Sequence, residues 1–350
     1  MSLRSIISKL IPQKVKDKIN IKKQKSFFLE GYNDFLVTGK TSQDAYMTLI
    51  NLYCRTNGRF NEIMHKKLAA LNPPAVKKEG EGLIGKLNEK DFSNINETLK
   101  KDGYVSFNKK IPAEIVKKLY DYALKAPSLA APLYDKKIVY DENNPVSEIY
   151  RFDIQDLVNN SDIQALIMDE SLINVARNYL ESEPIFDFPA MWWSTCFLKE
   201  ASSEAAQLYH FDMDRIKWLK IFIYLNDVTP ENGPHSYIKG SHQTGTKPQH
   251  LLNRGYVRIS DKELSKEYKK EDFITICAEA GSVFAGDTKC WHKGTPLKKG
   301  HRLALEFEYT TSMFGSTNPK MEILNCSDAF KKFCKDNERY ASNFSFNNKY

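Results

Sequence analysis

The chain has 350 residues, 41% hydrophobic and 27% charged, enough to bury a sizeable core in one large or two ordinary domains. No run of 18 apolar residues occurs, which excludes a membrane-spanning helix. The formal charge of +7 resides in residues 1–28, where eight basic groups face Asp17 alone; 43 charges of each sign balance in the other 322 residues. That balance argues against a nucleic-acid-binding body. Cysteines 54, 196, 277, 290, 326 and 334 show no CxxC pair and no zinc-ribbon spacing. With no clean apolar leader before Pro12, they read as free thiols in a cytoplasmic protein.

Residues 2–11 place Leu3, Ile6, Ile7, Leu10 and Ile11 at helical spacing opposite Arg4 and Lys9, with lysines following. Such a segment, taken as residues 2–25, suits peripheral contact with an anionic membrane surface or packing on its own protein. Residues 27–72 are predicted helical with a turn at Asn57-Gly58. Pro73-Pro74 and KKEGEG mark a linker, which sets off residues 1–80 as a helical region with a basic start. His65 is read as a helix-surface residue.

A helix is expected to end at Gly103, followed by the strand YVSF, a helix opened by Pro112 and another over 161–180. From 184 onward strands dominate: IFDFPAMWWSTCFL, QLYHFDMD, IKWLKIFIYLNDV, SYIKGS, FITICAEAGSVFAGD and HRLALEFEYTT. Helices first and many short strands later predict an α+β unit ending in a sandwich or barrel. Residues 316–350 read as a helical or irregular extension.

Six of the seven histidines fall between 210 and 301. In a strand, His210 and Asp212 point to one face while Phe211 points to the other. An imidazole beside a carboxylate suits a divalent first-row metal, and two histidines with one carboxylate leave three coordination positions open. His292, at the end of GDTKCWH, is the candidate third ligand. A hairpin across KGTPLKKG would return Arg302 beside it, as a bidentate clamp for a carboxylate. A small dicarboxylate chelating the metal at one end and pairing with Arg302 at the other would be 2-oxoglutarate.

The stretch from about 85 to 315 resembles the phytanoyl-CoA dioxygenase family of Fe(II)/2-oxoglutarate oxygenases. The resemblance rests on DGYVSF, HFD at 210–212, IFIYLNDV, ENGPHSYIKGSH, GDTKCWHKGTP and HRLALEF, in this order. It implies a double-stranded β-helix of jelly-roll or cupin type over 81–315, with flanking helices. It implies Fe(II) on His210, Asp212 and His292, and 2-oxoglutarate on Arg302, with Lys220 and Phe222 lining the cosubstrate pocket. O2 would be the oxidant, with hydroxylation of a small or lipid-like substrate and release of succinate and CO2. Halogenating relatives carry a small residue where this chain has Asp212, so hydroxylation is the expectation. IKGSH departs from the family's more usual proline before that glycine, and residues 1–80 lie outside the resemblance. The alternatives are a non-oxidative zinc barrel and a degenerate binding module; the full His-Asp-His-Arg set argues against both. Substrate and oligomeric state are not legible.

Other residues take plainer readings. Asp214 is a turn residue or an acceptor behind the ligands, and Cys290 is a buried structural thiol. His235 and His242 are solvated turn residues, while His250 and His301 face solvent. Trp192 and Trp193 lie on opposite faces of one strand. Lys247, Arg254 and Arg258 read as a solvated loop face, with contact to an anionic group such as phosphate or a coenzyme A moiety as the alternative.

Overall fold

A computed structural model describes residues 13–74, 82–132, 134–198, 201–317 and 319–346. The amphipathic segment 2–11 and the linker residues 75–81 fall outside the described residues. Three helices come first: α1 (Gln13–Thr38), α2 (Gln43–Thr56) and α3 (Arg59–Leu71). Asn57 and Gly58 turn α2 into α3 with φ of 48° and 82°. α4 (Glu89–Asp102) is opened by an Asn88–Asp91 capping box and closed by Gly103. A Cβ at Gly103 would stand 2.4 Å from Cys290 Sγ, so both its φ of 84° and its surroundings require glycine.

β1 (Tyr104–Lys110), α5 (Ala113–Lys125), β2 (Ser128–Ala130), β3 (Lys137–Ile138) and β4 (Ile149–Arg151) follow. Where one helix was expected over 161–180, three short ones occur over 154–180: α6 (Ile154–Val158), α7 (Ser161–Ile167) and α8 (Glu170–Leu180). The break before α8 is made by Asp169, whose carboxylate caps Ser171 and Leu172 and also accepts the Ile84 N–H. The strand-rich half contains β5 (Ile185–Thr195), β6 (Trp218–Tyr224), β7 (His235–Ile238), α9 (Gln249–Leu252), α10 (Asp261–Leu264), β8 (Phe273–Ile276), β9 (Ser282–Gly286), β10 (His292–Gly294) and β11 (His301–Thr310). β12 (Met321–Ile323), α11 (Asp328–Asp336) and β13 (Phe344–Phe346) complete the order.

Eight strands form the major sheet in the order β1-β9-β6-β11-β5-β4-β2-β3, and β10-β7-β8 form the minor one. This is the two-sheet, double-stranded β-helix, with helices outside it. Alternation along the central strands explains its layers. Leu219, Ile221 and Ile223 of β6, and Leu303, Leu305, Phe307 and Tyr309 of β11, join the helix-covered core. Lys220, Phe222 and Tyr224, with Arg302, Ala304, Glu306 and Glu308, point between the sheets; Glu308 pairs with Lys220 and Glu306 with Phe222 in the register. A second apolar cluster joins the N-terminal helices to the barrel: Phe28, Leu49 and Tyr53 pack with Phe211, Trp218 and Trp291.

Two expectations change here. QLYHFDMD does not form a regular strand; it is held by single bridges, Tyr209 to Ile259 and His210 to His292. His292 and Arg302 are not joined by a hairpin, because β10 belongs to the minor sheet and β11 to the major one. The connection between them crosses the sandwich instead.

Candidate active site

His210, Asp212 and His292 converge between the sheets, with one ligand atom from each lying within 4.8 Å of the others. His210 N–H donates to the His292 carbonyl at 3.0 Å, and His292 N–H returns the bond at 2.8 Å. Asp212 N–H donates to the Thr288 carbonyl at 2.8 Å. The site is thus tied to the 287–292 turn by main-chain bonds. Phe211, between the two, turns away against Tyr53 and Trp291 at ring separations of 5.2 Å each.

The imidazoles are oriented by their own backbone. His210 Nδ1 lies 2.9 Å from the Leu208 carbonyl, and His292 Nδ1 lies 3.0 Å from the Cys290 carbonyl. A carbonyl only accepts, so each Nδ1 carries the proton and each Nε2 keeps its lone pair. Those Nε2 atoms face Asp212, at 3.6 Å for His210 and 3.5 Å for His292. Burial first, then the neighbouring imidazole, lowers His210 to a pKa of about 3, and burial lowers His292. Asp212 is pushed up by burial, but Lys220 and the two imidazoles outweigh this and hold it well below the usual carboxylate range. Two neutral imidazoles and an ionised carboxylate are the protonation states that a divalent metal requires, so the donor set fits Fe(II).

A cavity of about 280 Å³ opens on these groups, and Lys220, Phe222 and Arg302 also line it. Arg302 donates to the Gly233 carbonyl and, at 3.0 Å, to Ser194 Oγ, whereas its Nε has no partner among the described residues. The buried guanidinium therefore has only neutral acceptors, an arrangement suited to an incoming carboxylate. Gly294 makes room for it, since a Cβ there would meet Nη2 at 3.3 Å. Phe222 stacks on Phe284, with ring centroids 4.9 Å apart and planes inclined by 12°. Lys220 lies among acids: Asp212 and Asp214 at 3.0 Å, Glu308 at 3.4 Å and Glu306 at 3.5 Å. These carboxylates hold its ammonium well above its ordinary pKa despite burial.

Several plain readings need correction. His235 is buried, lines the cavity, bonds Tyr224 Oη at 2.9 Å and packs on Phe222. His242 and His65 are buried as well. His301 is half-buried among Tyr120, Tyr140 and Trp193. Lys247 is buried, donating to the Ser241 and Lys289 carbonyls. Arg258 lines the cavity and has a buried Nη1 without a partner among the described residues, while Arg254 stays outside, paired with Glu263. His250 is exposed. Trp192 faces the cavity and Trp193 the helix-covered core. Cys290 is a buried thiol whose pKa burial pushes up to about 12. Glu306 was missed in the sequence, although its place four residues after Arg302 on the same strand face was an available signal; nothing local marked Arg258.

No helix among the described residues is long and apolar enough to cross a membrane. No curated protein matches the chain. Among solved structures it is similar to AviO1 from Streptomyces viridochromogenes Tue57, at 16% identity over 67% of this chain and 100% of that one, TM-score 0.44. HygX from Streptomyces hygroscopicus, with nickel and 2-oxoglutarate bound, gives 16% over 70% and 94%, TM-score 0.46. EctD from S. alaskensis gives 16% over 71% and 92%, TM-score 0.47. The phytanoyl-CoA dioxygenase (PhyH) family model matches residues 99–302, more than half of the chain. The chain belongs to that family of oxygenases, whose cofactors are Fe(II), 2-oxoglutarate and O2.

Proposed function

We propose that this oxygenase hydroxylates a small organic or lipid-like substrate, with His210, Asp212 and His292 as the iron ligands and Arg302 as the anchor for 2-oxoglutarate. The observation that carries the assignment is the pair of imidazoles with Nδ1 committed to their own backbone and Nε2 turned to one carboxylate. With O2, the bound iron and cosubstrate supply the oxidation: 2-oxoglutarate becomes succinate and CO2, and one oxygen atom enters a substrate C–H bond.

The chain's own groups position these partners. His210, Asp212 and His292 would hold the metal and, as three protein ligands, would leave room on it for cosubstrate and oxidant. Arg302, steadied by Ser194 and the Gly233 carbonyl, offers Nε and its Nη atoms to the distal carboxylate. Phe222, backed by Phe284, gives the cavity an apolar wall beside the cosubstrate. Lys220 holds Asp212 ionised and balances Asp214, Glu306 and Glu308 behind it. A groove of about 500 Å³, which shares Arg151, Phe188 and Ala190 with the metal cavity and adds Leu129, Phe152 and Met191, supports a substrate with an apolar body.

The test is anaerobic addition of Fe(II) and 2-oxoglutarate to metal-free protein, watching the visible charge-transfer band of the chelate. The band is expected in wild type, lost in His210→Ala and weakened in Arg302→Ala. Bound metal with no band would overturn the assignment and favour a redox-inert site.

A further inference from the structure

A second cavity, of about 480 Å³, lies behind the turn that delivers His292, and none of its lining residues lines the metal cavity. α3 contributes His65, α8 contributes Tyr179, and Lys217, His242 and Lys289 come from segments beside β6, β7 and β9. At its floor a single carboxylate oxygen is shared. Asp287 Oδ2 accepts from Tyr179 Oη at 2.5 Å and Lys217 Nζ at 2.9 Å, with Lys289 Nζ at 3.4 Å. Its other oxygen accepts the Lys289 N–H at 2.9 Å.

Two buried ammonium groups therefore face one carboxylate. The rim does not redress the balance, because its acids are already paired: Glu62 with Lys66 at 3.5 Å and Glu181 with Lys100 at 2.5 Å. His65 and His242 are 5% and 8% exposed, and the buried Nδ1 of each has no hydrogen-bond partner among the described residues. A buried cluster with surplus positive charge and unused imidazole donors is costly unless an anion joins it.

We propose that this cavity is a binding site for a phosphate group, free or carried as a monoester on a small molecule. Two ammonium groups and two imidazoles from separate elements suit a tetrahedral dianion, whose oxygens diverge. A carboxylate has two coplanar oxygens and would leave donors unused. The volume exceeds one phosphate, leaving space for a small organic body. The occupant does not touch the iron. Of its lining residues Lys289 is next to the Thr288 whose carbonyl holds Asp212 N–H, but the cavity shares no lining residue with the metal cavity and so is not the place of the oxidised substrate.

Titration calorimetry of the full chain at constant ionic strength tests this with inorganic phosphate, glycerol phosphate and acetate. Saturable binding of phosphate or its monoester is expected with a Kd of about 0.1–1 mM, weakened about tenfold or more in both Lys289→Gln and His65→Gln. A stronger response to glycerol phosphate identifies a phosphorylated molecule as occupant; a stronger response to inorganic phosphate identifies the free ion. The Fe(II)/2-oxoglutarate band, kept in both variants, shows that they fold and that the metal site is independent. No saturable phosphate binding, equal binding of acetate, or binding unchanged in both folded variants would each overturn the proposal.

Discussion

The cavities on the two sides of the 287–292 turn carry opposite imbalances of charge. On the metal side four carboxyl groups surround the ammonium of Lys220, all within 3.5 Å; burial pushes Glu306 up and Glu308 well up, while Lys220 holds Asp212 ionised, and the acids still outnumber the one ammonium. On the far side two ammonium groups share the carboxylate of Asp287. Burying a charge without compensation costs several kcal/mol, so each imbalance indicates the sign of what belongs there: a cation among the carboxylates, an anion among the lysines. The difference also separates two kinds of site. The first is built on a few residues at fixed spacing along the chain, the second on residues from five separate segments.

The sharpest way to break this contrast is to remove a proposed ligand. Asp212→Ala should abolish succinate release and weaken metal binding by more than about a hundredfold, the upper range for losing a group that merely supports a ligand. Calorimetry with Ni(II) and a succinate assay would show it. A variant that still bound metal within tenfold of wild type would remove Asp212 from the ligand set.

Lys220→Met probes the other half of the balance. With its cation gone, the cluster of Asp212, Asp214, Glu306 and Glu308 should destabilise the metal-free protein by about 3–5 kcal/mol. Ni(II) should restore much of that loss, because a divalent ion takes over the neutralising role. Denaturant unfolding with and without metal measures both. A loss that metal leaves unchanged would mean that Lys220 acts through packing and not through charge.

What the sequence allowed to be read follows from the same contrast. His210 and Asp212 could be placed because a strand-like backbone puts i and i+2 on one face, and Arg302 because it opens the alternating run that forms β11, where it lies opposite Ser194 of β5. The expected hairpin from His292 to Arg302 was wrong, since ten residues suffice either to turn back in one sheet or to cross to the other, and local pattern does not choose. Arg258, His235, His242 and His65 were misread for one reason: burial of a polar residue is a tertiary fact. α3 shows His65 as one polar residue among several, and only the packing of that helix against the barrel decides that it faces Lys217 and Lys289. The break in the expected 161–180 helix has a similar origin, because Asp169 caps α8 while also holding the backbone of Ile84.

Arg302→Lys is expected to act more narrowly. A lysine keeps the charge but not the planar fork, so affinity for 2-oxoglutarate should fall about 10–100-fold, the loss of one or two charge-assisted bonds. Metal affinity should stay as in wild type. A parallel loss of metal binding would place Arg302 in the ligand scaffold and not at the cosubstrate.

The smallest effect concerns the far cavity and acid. Burial, aided by Lys217 and Lys289, lowers His65 and His242 to pKa values of about 3. In the unfolded chain an imidazole titrates near 6.5. Between those values the unfolded state takes up protons that the folded state refuses, so stability falls as pH drops below 6.5. The loss at pH 5 is on the order of 2 kcal/mol for each ring. Denaturant unfolding at pH 7 and pH 5 should therefore show a smaller acid loss in the double variant His65→Gln, His242→Gln than in wild type. Saturating phosphate should shrink the wild-type loss too, because a dianion beside the rings raises their affinity for protons. An acid loss equal in wild type and double variant would mean that these two rings already accept protons in the folded protein. The far cavity would then be better solvated, and its surplus of positive charge less costly, than the buried site of opposite sign across the turn.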